Sequence, residues 1–273
     1  MTGEALALAT PAPAVSKKAV ALPAEHGGWG LIGEPLILAS VLAPSWAAAG
    51  IAVAALGAFL LHHPLKLLLS DLRRGCWYPR TSAALPFAVA YACTAVVGTI
   101  AAFSSARGAF WWPLLLASPL ALVQLAYEVR NRSRAPAPQV AGAAALAAVA
   151  SAVLLAGAWT PFNACVVGGL CAARGVSSVL YVRTRLRLDR GLGAGRSLPL
   201  AVHVAMLAST IGLWHADHAG LATVAAFALL LLRAVWGLSA WRGVAPPKVV
   251  GFQELGLGLT TMALVCAGQW PHA

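Results

Sequence analysis

The chain has 273 residues, of which 60% are hydrophobic and only 10% charged, against about 25% charged in an ordinary soluble domain. That composition excludes a water-solvated globule, and continuously apolar stretches such as Ile51 to Leu61 exclude the period-two alternation of a closed barrel. The net charge of +11 sits in short loops between apolar runs, a pattern of membrane topology and anionic lipid contact rather than of nucleic-acid binding.

Residues 1–22 are rich in Ala and Pro and end near Lys17 and Lys18. The apolar run Ala5 to Ala9 is too short for a signal-peptide core, and the positive charge follows it instead of preceding it. The expectation is a disordered cytoplasmic tail, followed by a single transmembrane domain over 23–273. Nine apolar runs follow, near 29–46, 47–63, 82–103, 109–127, 139–158, 162–182, 198–214, 219–236 and 249–270. Each is close to the roughly 20 residues that a membrane-spanning helix needs. The second is short, and Leu65 to Leu69 are expected to continue its helix along the membrane surface.

Charge tests the count. With the tail inside and the loops alternating, seventeen of the nineteen Lys and Arg residues fall on the inner side. They include Arg73, Arg74 and Arg80, then Arg130, Arg132 and Arg134, then Arg183 to Arg196, and finally Arg233, Arg242 and Lys248. Only Arg107 lies outside, and Arg174 lies within the sixth run. Adding or removing one span in the middle would scatter basic loops over both faces, so the segregation supports nine spans with a cytoplasmic N-terminus. Trp111, Trp112, Trp159, Trp214 and Trp270 fall at run ends, where amphipathic rings favour the interface. Abundant Gly and Ala inside the runs allow close helix packing. The five cysteines have no CxxC or CxxH spacing, so neither a disulfide framework nor a zinc site is expected.

Ionisable groups inside apolar runs cost about 2.5–3.5 kcal/mol each on insertion scales and require a partner or a purpose. Glu34, followed by Pro35, lies early in the first run, Arg174 in the middle of the sixth and Glu254 in the ninth. Arg174 is expected to pair with Glu34 or Glu254, either fixing helix register or lining a polar cavity reached from the cytoplasm. Three clusters converge on that side. Glu25 and His26 open the segment 25–30, where glycines permit close backbone approach and the two side chains offer acid–base chemistry. His62, His63, Lys66 and Asp71 follow on the second span. There His63 and Asp71 share a helix face, and Asp71 is spaced to pair with Arg74. On the sixth span Arg174, Ser178, Tyr181 and Arg185 form one stripe at spacings of 4, 3 and 4, with Arg183 and Arg187 beside it. Arginine at both ends of such a stripe suits phosphate or carboxylate.

At these residues the chain resembles the YwiC-like family of bacterial membrane proteins. The resemblance is carried by EHGGWG at 25–30, HPLKLLLSDLRRG and YPRT within 63–81, ARGVSSVLYVRTRLR at 173–187 and PKVVGFQELGLG at 247–258. It implies a multi-pass protein of the bacterial cytoplasmic (inner) membrane and carries no established activity. A looser, architectural resemblance is to UbiA-type prenyltransferases, which also have nine spans and a cytoplasmic N-terminus. Their Asp-rich motifs after spans two and six bind an isoprenoid diphosphate through Mg²⁺. Here only Asp71 and Asp189 stand at those places, with no NDxxD or DxxxD.

The sequence thus leads to an all-α, possibly UbiA-like bundle holding an anionic amphiphile such as an isoprenoid or lipid phosphate. Lys66, Arg174, Ser178, Tyr181, Arg183, Arg185 and Glu254 are the expected ligand-binding residues, and Glu25, His26 and Asp71 the candidate catalytic groups. No residue is assigned to a metal, and the sequence names no cofactor. The expected partners are membrane lipids, not nucleic acid. Two alternatives share the same residues: a small-anion or solute transporter using Arg174, and a non-catalytic scaffold whose charges fix packing.

Overall fold

The structure, a computed structural model, describes residues 16–23 and 26–270. Ten helices account for nearly all of them: α1 (Lys17–Ala21), α2 (His26–Leu42), α3 (Trp46–Arg73), α4 (Pro79–Ser105), α5 (Trp111–Val129), α6 (Pro136–Ala156), α7 (Pro161–Asp189), α8 (Ser197–His215), α9 (Leu221–Leu238) and α10 (Pro247–Gln269). The helix starts are written in local chemistry. Proline, whose missing N–H costs nothing in a first turn, opens α4, α6, α7 and α10. Ser45 and Thr160 cap α3 and α7 by accepting from the amides of Ala48 and Asn163.

Eight of these helices, α3 to α10, are long and apolar enough to cross a membrane. The chain is a multi-pass membrane protein. The first expected span, α2, has 17 residues, about 26 Å at 1.5 Å per residue, and stops at Leu42 because Pro44 and the Ser45 cap begin α3. It lies against α6, α10, α3 and α7 and buries Ile32, Leu36, Leu38, Ala39 and Leu42. The second run is part of one continuous 28-residue helix that passes through Pro64 and carries Leu65 to Leu69 on with it. Lys17–Ala21, at the end of the expected tail, pack on the α3–α4 pair: Val20 is buried with Leu68, Ala84 and Ala88, and Tyr91 donates to the carbonyl of Ala21.

In a bilayer, apolar side chains gain little by leaving lipid, so helices associate through close packing. Gly50, Gly57 and Gly98 supply it between α3 and α4. A Cβ on Gly50 would stand 2.6 Å from the Ala102 amide nitrogen, and one on Gly57 2.6 Å from that of Ala95. The most enclosed helices are α6 and α7, with α2 beside them, and the main core gathers Leu38, Val153, Leu154, Val167, Phe227, Leu230 and Val265 around them. Polar side chains that point into this centre therefore meet one another rather than lipid.

Candidate functional site

Four charged side chains from four helices meet inside the bundle. Arg174 of α7 is 3% exposed at its side chain. Its Nη2 donates to Glu34 Oε1 of α2 at 3.2 Å and to the carbonyl of Glu254 in α10 at 3.1 Å, while Nη1 lies 4.0 Å from Glu254 Oε2. Ser178, one turn along α7, also donates to the Glu254 carboxylate. The fourth member is Arg233 of α9, with Nη2 3.3 Å from Glu254 Oε2 and its guanidinium 3.9 Å over the ring of Tyr181. Two arginines and two glutamates give formal neutrality, which is what lets them remain in this place. The expected pairing of Arg174 with Glu34 or Glu254 is found with both. Gly258 makes it possible, since a Cβ there would overlap the Glu34 carboxylate and stand 2.8 Å from Arg174 Nη2.

Donors exceed acceptors in this cluster. Among the described residues, Arg174 Nε and Arg233 Nε and Nη1 are buried without an aligned acceptor. A cavity of about 10 Å³ beside Glu34 and Cys171 is the size of one water. The cluster lies about 8–10 Å in from the α9–α10 connection that carries Arg242 and Lys248, counting 1.5 Å per residue from Arg233 to Leu238 and from Pro247 to Glu254.

The remaining expected residues do not join it. Arg185 stays on the buried face of α7 but is committed to the rim. Its Nε donates to Asp189 at 2.8 Å, Nη1 to the carbonyl of Gly237 at 2.6 Å, and Nη2 to that of Gly243. Arg242 holds the other Asp189 oxygen at 3.1 Å. Arg183 donates to the carbonyl of Arg134 and ties α7 to the α5–α6 turn. Lys66 sits on α3, 3.9 Å from Glu128 of α5. Asp71, fully buried, takes a two-pronged contact from Arg80 at 3.0 and 2.5 Å and a third bond from Thr81 at 2.8 Å. Its partner is Arg80 rather than Arg74, because Gly75, at φ 66°, reverses the chain and brings the first turn of α4 against the last of α3. His63 turns to the carbonyl of Ala19 instead of toward Asp71. His26 begins α2, and Glu25 lies outside the described residues.

Two residues escaped the sequence reading. Charge segregation alone puts Arg233 on the inner rim, yet it lies five residues before the end of α9, inside the bundle. The continuation Ala-Val-Trp-Gly-Leu after it was the available signal. The inner count falls to sixteen by this correction, and the asymmetry stands. Glu128, 5% exposed, binds Gln124 at 3.0 Å and lies 3.2 Å from His62. Its position at the end of an apolar run hid its burial.

The family model described as YwiC-like protein matches residues 22–154. This YwiC-like stretch runs from α2 through most of α6 and carries Glu34, Lys66, Asp71 and Glu128. Arg174, Arg233 and Glu254 lie beyond it. No curated protein and no solved structure matches the chain. Asp71 and Asp189, where UbiA-type enzymes carry their motifs, do not suit Mg²⁺, which requires free carboxylate oxygens; guanidinium groups occupy both. Among the described residues no three His, Cys, Asp or Glu side chains come together.

Proposed function

We propose that the protein binds the anionic headgroup of an amphiphile, of the isoprenoid- or lipid-phosphate class, at the Arg174–Arg233 pair on the cytoplasmic half of the bundle. The observation that carries this reading is the surplus of buried guanidinium N–H donors, which a register-fixing ion pair would not need. Phosphate offers several acceptor oxygens to such donors. Ser178 and Tyr181 orient the two arginines through Glu254 and by stacking. Arg174 is the most enclosed member of the cluster, with a side chain 3% exposed against 10% for Glu34 and Arg233 and 14% for Glu254. Glu25 and His26 are the candidates for acid–base chemistry on a bound ligand.

The test is thermal stability of the detergent-purified protein against farnesyl diphosphate, phosphatidic acid and sulfate, each with and without Mg²⁺, in the wild type, Arg174→Gln and Arg233→Gln. Stabilisation by a long-chain phosphate, lost in both variants, is the expected result. No response from either long-chain phosphate would sink the proposal. A transporter of small anions is the second reading, favoured by the enclosure of the cluster and the water-sized cavity beside it. Labelled sulfate uptake into proteoliposomes separates the two, and flux no greater than in empty vesicles would end the transport reading.

A further inference from the structure

On the opposite end of the bundle from the arginine-rich rim, the α2–α3, α4–α5 and α6–α7 turns enclose a cleft of about 760 Å³. That volume is in the range of small-molecule sites, about 300–1,000 Å³. Its walls combine apolar Leu42 and Ala49 with Trp46, Trp159, Ser45 and Ser105, and Arg107 stands among them. Charge segregation puts this end outside, and Arg107 is the one basic residue that the segregation leaves there. Its side chain is exposed, and among the described residues its guanidinium has no hydrogen bond or ion pair.

The cleft is fixed by backbone rather than by side chains. The Arg107 amide donates to the carbonyl of Ala156 at 3.0 Å. Gly108 lies so close to α6 that a Cβ would reach the Leu155 carbonyl oxygen at 2.5 Å, and one on Gly157 would touch Ala43. Three turns are thereby locked to each other, and the backbone of Arg107 is held at the cleft. Deeper along α2 and α6 than the residues that line the cleft, Leu38, Ala39, Val153 and Leu154 are fully buried. Glu34 lies a further eight residues along α2 from Leu42, about 12 Å, so this site is separate from the inner arginine cluster.

We propose that this cleft is an outward-facing binding site for an amphiphile with a single anionic headgroup, which Arg107 pairs while the tail lies against Trp46, Ala49 and Trp159. An apolar wall with one uncommitted arginine fits that chemistry: the guanidinium supplies a charged, planar donor set, and the tryptophans supply the interfacial surface that such molecules favour.

Native mass spectrometry of the detergent-solubilised protein tests it, with phosphatidylglycerol, dodecyl phosphate and inorganic phosphate as probes. Phosphatidylglycerol represents a bilayer lipid and dodecyl phosphate a soluble amphiphile, so their relative affinities identify the source. Arg107→Gln should weaken whichever amphiphile binds by about ten-fold, the value of one charge-assisted contact, whereas Arg107→Lys keeps most of the affinity. Ala49→Trp, which fills the cleft without altering charge, should lose it as well. Equal binding by wild type and Arg107→Gln, no effect of Ala49→Trp, or inorganic phosphate binding as tightly as either amphiphile would each overturn the proposal.

Discussion

Replacing Arg174 by Gln should destabilise the protein chiefly through Glu34. Arg174 is the ion-pair partner of Glu34, whereas Glu254 would still hold Arg233 and Ser178. At 3.2 Å and an effective dielectric of about 20, the Arg174–Glu34 attraction is about 5 kcal/mol. Removing one partner of a buried pair typically costs about 3–5 kcal/mol, because the other charge is stranded. For a chain of this size that corresponds to roughly 10 °C in Tm. Neutralising Glu34 as well should return at least half of the loss. The assay is the temperature at which half of the solubilised protein leaves its size-exclusion peak, measured for wild type, Arg174→Gln, Glu34→Gln and the double variant. If the double variant is as unstable as the two single losses added together, the charge pair is not what couples α2 to α7, and Arg174 acts through its bond to the Glu254 carbonyl or through packing.

Gly57→Val should separate α3 from α4, since even its Cβ would lie 2.6 Å from the Ala95 amide nitrogen; a loss of at least about 3 kcal/mol is expected, and a Tm within a degree or two of wild type would refute the seam. Asp71→Asn should cost about 1.5–3 kcal/mol by weakening its contacts with Arg80 and Thr81, without altering ligand-induced stabilisation; an unchanged Tm would show that these contacts do not stabilise the α3–α4 turn. A variant retaining only Cys76, exposed at that turn, should react with a membrane-impermeant maleimide in inside-out vesicles and not in right-side-out ones. Labelling of right-side-out vesicles would reverse the orientation.

The architecture was legible because lipid imposes so simple a rule. Length, apolarity and the distribution of Lys and Arg located the starts of α3 to α10 to within about three residues, while α3 and α7 run on for ten and seven residues past the expected ends at 63 and 182; the prolines at 79, 136, 161 and 247 stand at helix starts. Partner choice was less legible. The pairing of Arg174 with Glu34 and Glu254 was readable because three lone charges in apolar runs had few alternatives. Asp71 had several: Arg74 was nearest in sequence, and only the reversal at Gly75 delivered Arg80. The apparent convergence of Lys66, Asp71 and Arg185 failed for a related reason. A shared depth along parallel helices does not specify which face each helix turns to its neighbour, and these residues face different partners. Arg233 was hidden by the same charge rule that gave the topology, since an arginine near the end of a run satisfies that rule without being buried.

Arg233 also weighs on whether the inner cluster is only a packing device. One arginine between two carboxylates would link α2, α7 and α10 with every charge close to a partner, leaving a net negative site that a single proton could relieve. Adding Arg233 from α9 brings the charge to balance and at the same time introduces donors with no aligned acceptor. Well-packed apolar residues of similar volume could hold four helices together at equal or greater stability. A cluster kept for packing alone would therefore be expected to satisfy its own hydrogen bonds. Arg185 and Asp71 show that this chain can do so: Arg185 has acceptors for Nε, Nη1 and Nη2, and both oxygens of Asp71 are engaged. Against those two locks, the unsatisfied nitrogens of Arg174 and Arg233 mark the cluster whose donors suit a further, anionic acceptor.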